Sequence, residues 1–145
     1  MTTWRAAAYL WAAPTSLPGL LLLVCTGARA SWRDGVLEGH GPGVARWFDL
    51  VAPGRGIIAM TLGHVVLARD EAALDVTRAH ERVHVAQCER WGVFFVPAYL
   101  CASAVARLRG GDAYYDNVFE QAAWRAAPIP APVPAVLDVV AAPRR

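Results

Sequence analysis

The stretch Thr77–Gln87 reads TRAHERVHVAQ. Within it His80 and His84 stand four residues apart, and Glu81 follows the first of them. Positions i and i+4 share one face of a helix. If the stretch is helical, both imidazoles can reach a single cation at bonds of about 2.0–2.1 Å. Glu81 lies too far round to be a third ligand, but it can lean toward a water on an open coordination position. On a helix, H-E-x-x-H therefore points to a metal centre in which a carboxylate moves a proton. Five residues can also spell this pattern by chance, so the surroundings decide its value.

Those surroundings predict a helix from Asp70 to Gly92. Asp70 and Glu71 sit where a helix N-terminus favours acids, and Gly92 supplies a stop. Ala72, Val76, Ala79, Val83 and Ala86 recur at helical spacing and read as the apolar stripe. Thr77, His80, His84, Gln87 and Trp91 form a second stripe beside it, which places the histidines at the border of the buried face.

A catalytic metal site needs a third protein ligand and an open position. Among the remaining acids and histidines, Glu120 is the choice. It lies beyond a helix long enough to turn the chain back, on a further short helix from Asn117 to Ala127 that Pro128 stops. A competing reading stays open. Asn117-x-x-Glu120 has the form of a capping box, in which Glu120 would serve its own helix start.

HERVHVAQ, an aromatic and apolar helix, then DNVFEQAA resembles the gluzincin-type zinc metallopeptidases. The likeness is to minimal ones, in which H-E-x-x-H-V-x-Q is followed by N-x-F-E-x-x-A. MTLGHVVLARD, just before the helix, resembles the edge strand such domains place beside the cleft. The resemblance spans residues 57–124. It implies a zincin-like α+β fold, zinc (Zn2+) held by His80, His84 and Glu120, Glu81 as general base, and a peptide or protein substrate. The chain is short for such an enzyme and leaves little material for specificity pockets.

Supporting roles are read from position. Gln87 lies on the ligand face one turn on, where it can hold a histidine by a hydrogen bond. Tyr114 or Tyr115 could stabilise an oxyanion, or simply pack. Asn117 fits a helix cap. His64, after Gly63, fits a structural or substrate-facing role, and Cys88 a buried thiol.

The chain has 145 residues, of which 56% are hydrophobic and 18% charged. That is greasier than an ordinary soluble domain. The net charge of +2 gives no reason to expect nucleic acid as a partner. Every basic side chain is arginine. Three cysteines without a CxxC pair argue against a cysteine zinc site and a disulfide scaffold.

Ala6–Ala28 carries no charge and is long enough to cross a bilayer, at about 20 residues. We read residues 1–30 as a hydrophobic membrane anchor in contact with lipid. A cleaved leader and a soluble core hairpin are the alternatives, and prolines 14 and 18 interrupt the run. Arg29, Arg33 and Arg46 follow it and Arg5 precedes it, which places the rest on the cytoplasmic side. Residues 31–127 then form the metal-binding domain, and 128–145 a proline-rich tail. Within the domain, GVLEGHG reads as a short strand, VARWFDL is ambiguous, and Ile57–Ala68 is one bulged strand or a tight hairpin at Gly63. VFFVPAYLCASAVARL reads as a buried or membrane-resting helix that Gly110–Gly111 closes. The expected architecture is three main helices plus a short strand or hairpin, behind an N-terminal apolar helix. A non-enzymatic membrane protein, with a structural zinc or no metal, is the alternative function.

Overall fold

The structure, a computed structural model, describes residues 3–130. Among them the chain is α+β: an N-terminal apolar helix, four further helices and a four-stranded mixed sheet. The expected proline-rich tail lies outside the described residues from 131 onward.

The apolar helix α1 spans Thr3–Thr26, with Pro14 and Pro18 inside it. A hairpin follows, β1 (Arg29–Arg33) and β2 (Val36–His40), then helix α2 (Pro42–Val51). Proline at the first helical position suits a helix start, because its missing N–H is one that no helical carbonyl would accept. The Ile57–Ala68 run resolves into a second hairpin, β3 (Ala59–Leu62) and β4 (Val65–Ala68). Gly63 makes that turn at φ 61°, which a side chain would resist. The sheet order is β1-β2-β4-β3, and β2 runs parallel to β4. The single short strand or hairpin expected from the sequence is therefore too little structure. β1 escaped that reading because all five of its residues are exposed, so its sequence carries no alternation.

All four residues of β4 are buried, because helices cover both faces of the sheet. Val65 and Leu67 pack with Leu23 of α1 and with Val44 and Phe48 of α2. Val66 and Ala68 pack on the opposite side with Ala73, Leu74 and Val85. Those three belong to the long helix α3 (Glu71–Trp91), which Asp70 caps by accepting from Ala73 N at 2.7 Å. Replacing such a cap by alanine costs about 1 kcal/mol. A 3-10 turn (Gly92–Phe94) then leads into α4 (Phe95–Leu108), and α5 (Val118–Ala126) closes the described fold.

The buried face of α3 differs from the expected one. Ala72, Val76, Ala79, Val83 and Ala86 are exposed or half-buried, whereas Ala73, Leu74, Thr77, His80, Glu81, His84, Val85 and Cys88 are buried. Three of the five residues in the expected stripe are alanines, which remove little area from water. Leu74, the one leucine of α3, lies on the other face with Val85, and the histidines turn inward with them.

α1, expected as a membrane anchor, packs along the sheet. Gly19 sits so close to Val65 that a β-carbon would stand 2.8 Å from the valine Cβ. The Tyr9 hydroxyl donates to Gly35 O, and Ser16 Oγ accepts from His64 N at 2.9 Å. By length and composition, α1 and the helical run Glu71–Leu108 are each long and apolar enough to cross a membrane.

Candidate metal centre

α3 presents His80 and His84 one turn apart, and α5 brings Glu120 across to them. His80 Nε2 lies 3.3 Å from Glu120 Oε2, His84 Nε2 lies 3.4 Å from Glu120 Oε1, and the two Nε2 atoms are 3.2 Å apart. These three residues form a buried group that could hold a metal ion. The capping-box alternative is not what forms. Asn117 caps α5 by accepting from Phe119 N at 2.9 Å, but its own N–H donates to Tyr114 O, leaving the Glu120 side chain to the histidines.

Each imidazole is held from behind. His84 Nδ1 lies 2.9 Å from Gln87 Oε1, and the Gln87 amide nitrogen donates to Phe119 O at 3.0 Å. That second bond decides which way the amide faces, so the Gln87 oxygen accepts and His84 carries its proton on Nδ1. His80 Nδ1 lies 3.3 Å from Ala127 O, which can only accept, and its proton is placed the same way. In neutral imidazoles this leaves both Nε2 lone pairs facing Glu120; without a metal, an Nε2 that carries a proton donates to Glu120 instead.

Glu120 is fixed by a residue the sequence reading missed. The Tyr99 hydroxyl on α4 donates to Glu120 Oε1 at 2.6 Å. Asn117 ties the same two helices, donating to Tyr99 O and Ser103 Oγ at 3.1 and 2.8 Å. Tyr99 was the one polar-tipped side chain in the first turns of an otherwise apolar helix, and that contrast was the available signal. Glu81, on the sheet side of α3, accepts from Thr61 Oγ1 of the edge strand β3 at 2.6 Å. Aromatic rings wall the group: Trp124 stands 5.1 Å from the His80 ring, and Phe95 and Tyr99 stand 6.4 and 6.5 Å from the His84 ring.

Burial works against the charge on Glu120, but hydrogen bonds from His80, His84 and Tyr99 outweigh it and hold the carboxyl at about 2. Burial likewise draws the His84 imidazolium down, yet the bond to Glu120 and the charges of Glu81 and Glu120 raise it overall. Glu81 is pushed up by burial, with His84, Thr61 and His80 opposing. The phenols of Tyr99 and Tyr114 are pushed up by burial and by the neighbouring Glu120 carboxylate.

Other expected site residues lie elsewhere. Tyr115 is exposed and lines an open surface pocket with Gln121, Trp124 and Arg125. His64 is buried at the β3–β4 turn, where its Nε2 lies 3.0 Å from Glu89 Oε1 and its ring stacks against Tyr9. It therefore joins α1 to α3 and takes no part in the metal group. Cys88 is buried against Ala12 and Phe95, and burial pushes its thiol up to about 11. Asn117 is a cap and a tie between helices, with no contact to the donor atoms.

No family model, curated protein or solved structure matches this chain.

Proposed function

We propose that the chain is a zinc-dependent peptidase-like hydrolase, associated with a membrane and carrying its metal-binding domain on the cytoplasmic side. The observation that carries the reading is the spacing of three donors. Tetrahedral ligands with bonds of about 2.0–2.1 Å stand about 3.3–3.4 Å apart. The two Nε2 atoms stand 3.2 Å apart, and each faces its own Glu120 oxygen, His80 Oε2 at 3.3 Å and His84 Oε1 at 3.4 Å, so the carboxylate could reach a shared ion through either oxygen. Two imidazoles whose protons sit on Nδ1 cannot hydrogen-bond to each other through Nε2, and a cation between them removes the lone-pair repulsion. A two-histidine, one-carboxylate set suits zinc.

Zinc bound there would polarise a substrate carbonyl and bring the pKa of a water toward about 7. Glu81, its carboxylate oriented by Thr61, would serve as the base for a water there and as the acid for the departing amine. Tyr99 keeps Glu120 aimed at the histidines. Substrates on this reading are peptides or proteins.

One observation favours a second reading, a non-enzymatic membrane protein with a structural zinc. His80, His84, Glu120 and Glu81 are all at most 6% exposed. Two measurements separate the readings. Purified protein should carry about one zinc per chain, the full complement of a single site. Glu81→Gln should then keep the metal and abolish peptide hydrolysis. A wild-type protein that binds zinc and hydrolyses no peptide supports the structural reading, and one that binds no metal ends both.

A further inference from the structure

Two helices turn apolar faces away from the fold. On α1 these include Leu10, Leu17, Leu21 and Val24, exposed by 62–80% apart from their neighbours Trp11 and Leu20 at 44% and 41%. On α4 they are Val96, Leu100, Val105 and Leu108. Trp11 and Phe94, both exposed, join the two rows, with ring centroids 6.2 Å apart. Neither 6–28 nor 91–106 contains a charged residue. A soluble monomer rarely leaves so long an apolar surface to water.

Both rows end in basic residues. Exposed Arg29 follows α1, and exposed Arg107 and Arg109 end α4. Guanidinium groups beside an apolar surface suit phosphate headgroups, which they bind through paired N–H donors. A protein partner would instead have to supply carboxylates opposite both ends.

The packed side of α1 constrains how it meets lipid. Its length is about 36 Å at about 1.5 Å per residue. Along that length it is joined to the sheet at Tyr9, Ser16, Gly19 and Leu23. Crossing the bilayer alone would strip those contacts, and crossing with the sheet would carry the exposed Arg33 and Asp34 beside it into hydrocarbon. We propose that α1, the 3-10 turn and α4 form one face that lies in the plane of an anionic bilayer leaflet, so that no single helix threads it.

The inner side of α4 carries Tyr99 and Phe95, the neighbours of Glu120 and His84. The metal group then sits about one helix diameter, about 10 Å, from lipid. Resting on the peptidase reading, this makes polypeptides held at the membrane surface the substrate class.

The native thiols provide the test. Cys101 is exposed on the outer side of α4, Cys25 is exposed near the end of α1, and Cys88 is buried. A nitroxide placed on Cys101 of full-length Cys25→Ser protein, in phosphatidylglycerol and phosphatidylethanolamine vesicles, should meet dissolved oxygen more often than a water-soluble nickel chelate. Nitroxides at Leu10→Cys, Leu17→Cys and Val24→Cys, in a background lacking Cys25 and Cys101, should report one shared depth. Leu100→Glu with Leu108→Glu should weaken binding to these vesicles. Preferential nickel contact at Cys101 would overturn the proposal. So would a depth that rises and falls along α1, or Cys101 labels that stay within dipolar range of each other when the protein is diluted in lipid, the sign of a second copy. These readouts need neither zinc nor turnover. If the zinc-loaded protein hydrolyses peptides, an acylated peptide on the vesicle should be cut faster than its free counterpart, and equal rates would overturn the substrate assignment alone.

Discussion

Tyr99 and Glu120 meet in a 2.6 Å hydrogen bond that crosses from α4 to α5, and the same carboxylate faces both histidines. Tyr99→Phe removes that donor and little volume. Groups that orient metal ligands typically change affinity by about 10–100-fold. Competition with a chelator should show zinc binding weakened in that range, with far-UV circular dichroism unchanged.

Thr61→Val keeps the shape of the edge strand and removes the donor to Glu81. The Glu81 carboxyl is already pushed up by burial, with the Thr61 hydroxyl among the groups opposing that rise. Without the hydroxyl the protonated form gains. The acid limb of kcat/KM against pH should therefore move to higher pH, by about one unit for a lost interaction of about 1.4 kcal/mol. A pH–rate profile of variant and wild type checks this, and zinc content should not change.

Glu120 links acidity to stability in the metal-free protein. Its carboxyl is held at about 2 against an ordinary 4.5, because hydrogen bonds from His80, His84 and Tyr99 outweigh burial. A depressed carboxylate stabilises the fold fully above the ordinary value and loses that contribution as pH falls toward the lower one. Acid titration of the chelator-treated protein should show stability declining between pH 4.5 and about 2. Glu120→Gln should flatten that decline.

Glu38 is 1% exposed on β2 and gathers arginines from two elements. Arg82 reaches it at 2.8 Å, Arg78 at 3.2 Å and Arg33 at 3.8 Å. Glu38→Ala leaves these cations facing one another, although each retains some access to water. Breaking a buried ion pair costs about 3–5 kcal/mol, and that access favours the lower end. Urea unfolding should register the loss without a change in zinc stoichiometry.

Much of the metal group was legible because its residues serve two periodicities at once. His80 and His84 keep helical spacing, and Asp70, Gly92 and Asn117 punctuate the helices around them. Glu120 could be singled out as a carboxylate, but its direction could not, since the same position suits a capping box. Tyr99 and the Ala127 carbonyl act across the fold, and no local pattern marks such contacts. Counting apolar residues favoured the Ala/Val row of α3, whereas the side carrying Leu74, Val85 and Cys88 turned inward. The exposed edge strand β1 and the parallel pairing of β2 with β4 depend on neighbours distant in sequence, so they left no alternation to read.

Gly92 carries a consequence for how the protein could be shortened or processed. It ends α3 at φ 54° with the Trp11 indole packed where a side chain would stand. The next residue of α1, Ala12, closes over Cys88 and Phe95, and the Phe95 ring neighbours His84. A chain stripped of α1 would lose the backing of that aromatic wall as well as its lipid-facing row. Removal of α1 through Ala12 should thus loosen the metal group through Phe95, without touching any ligand.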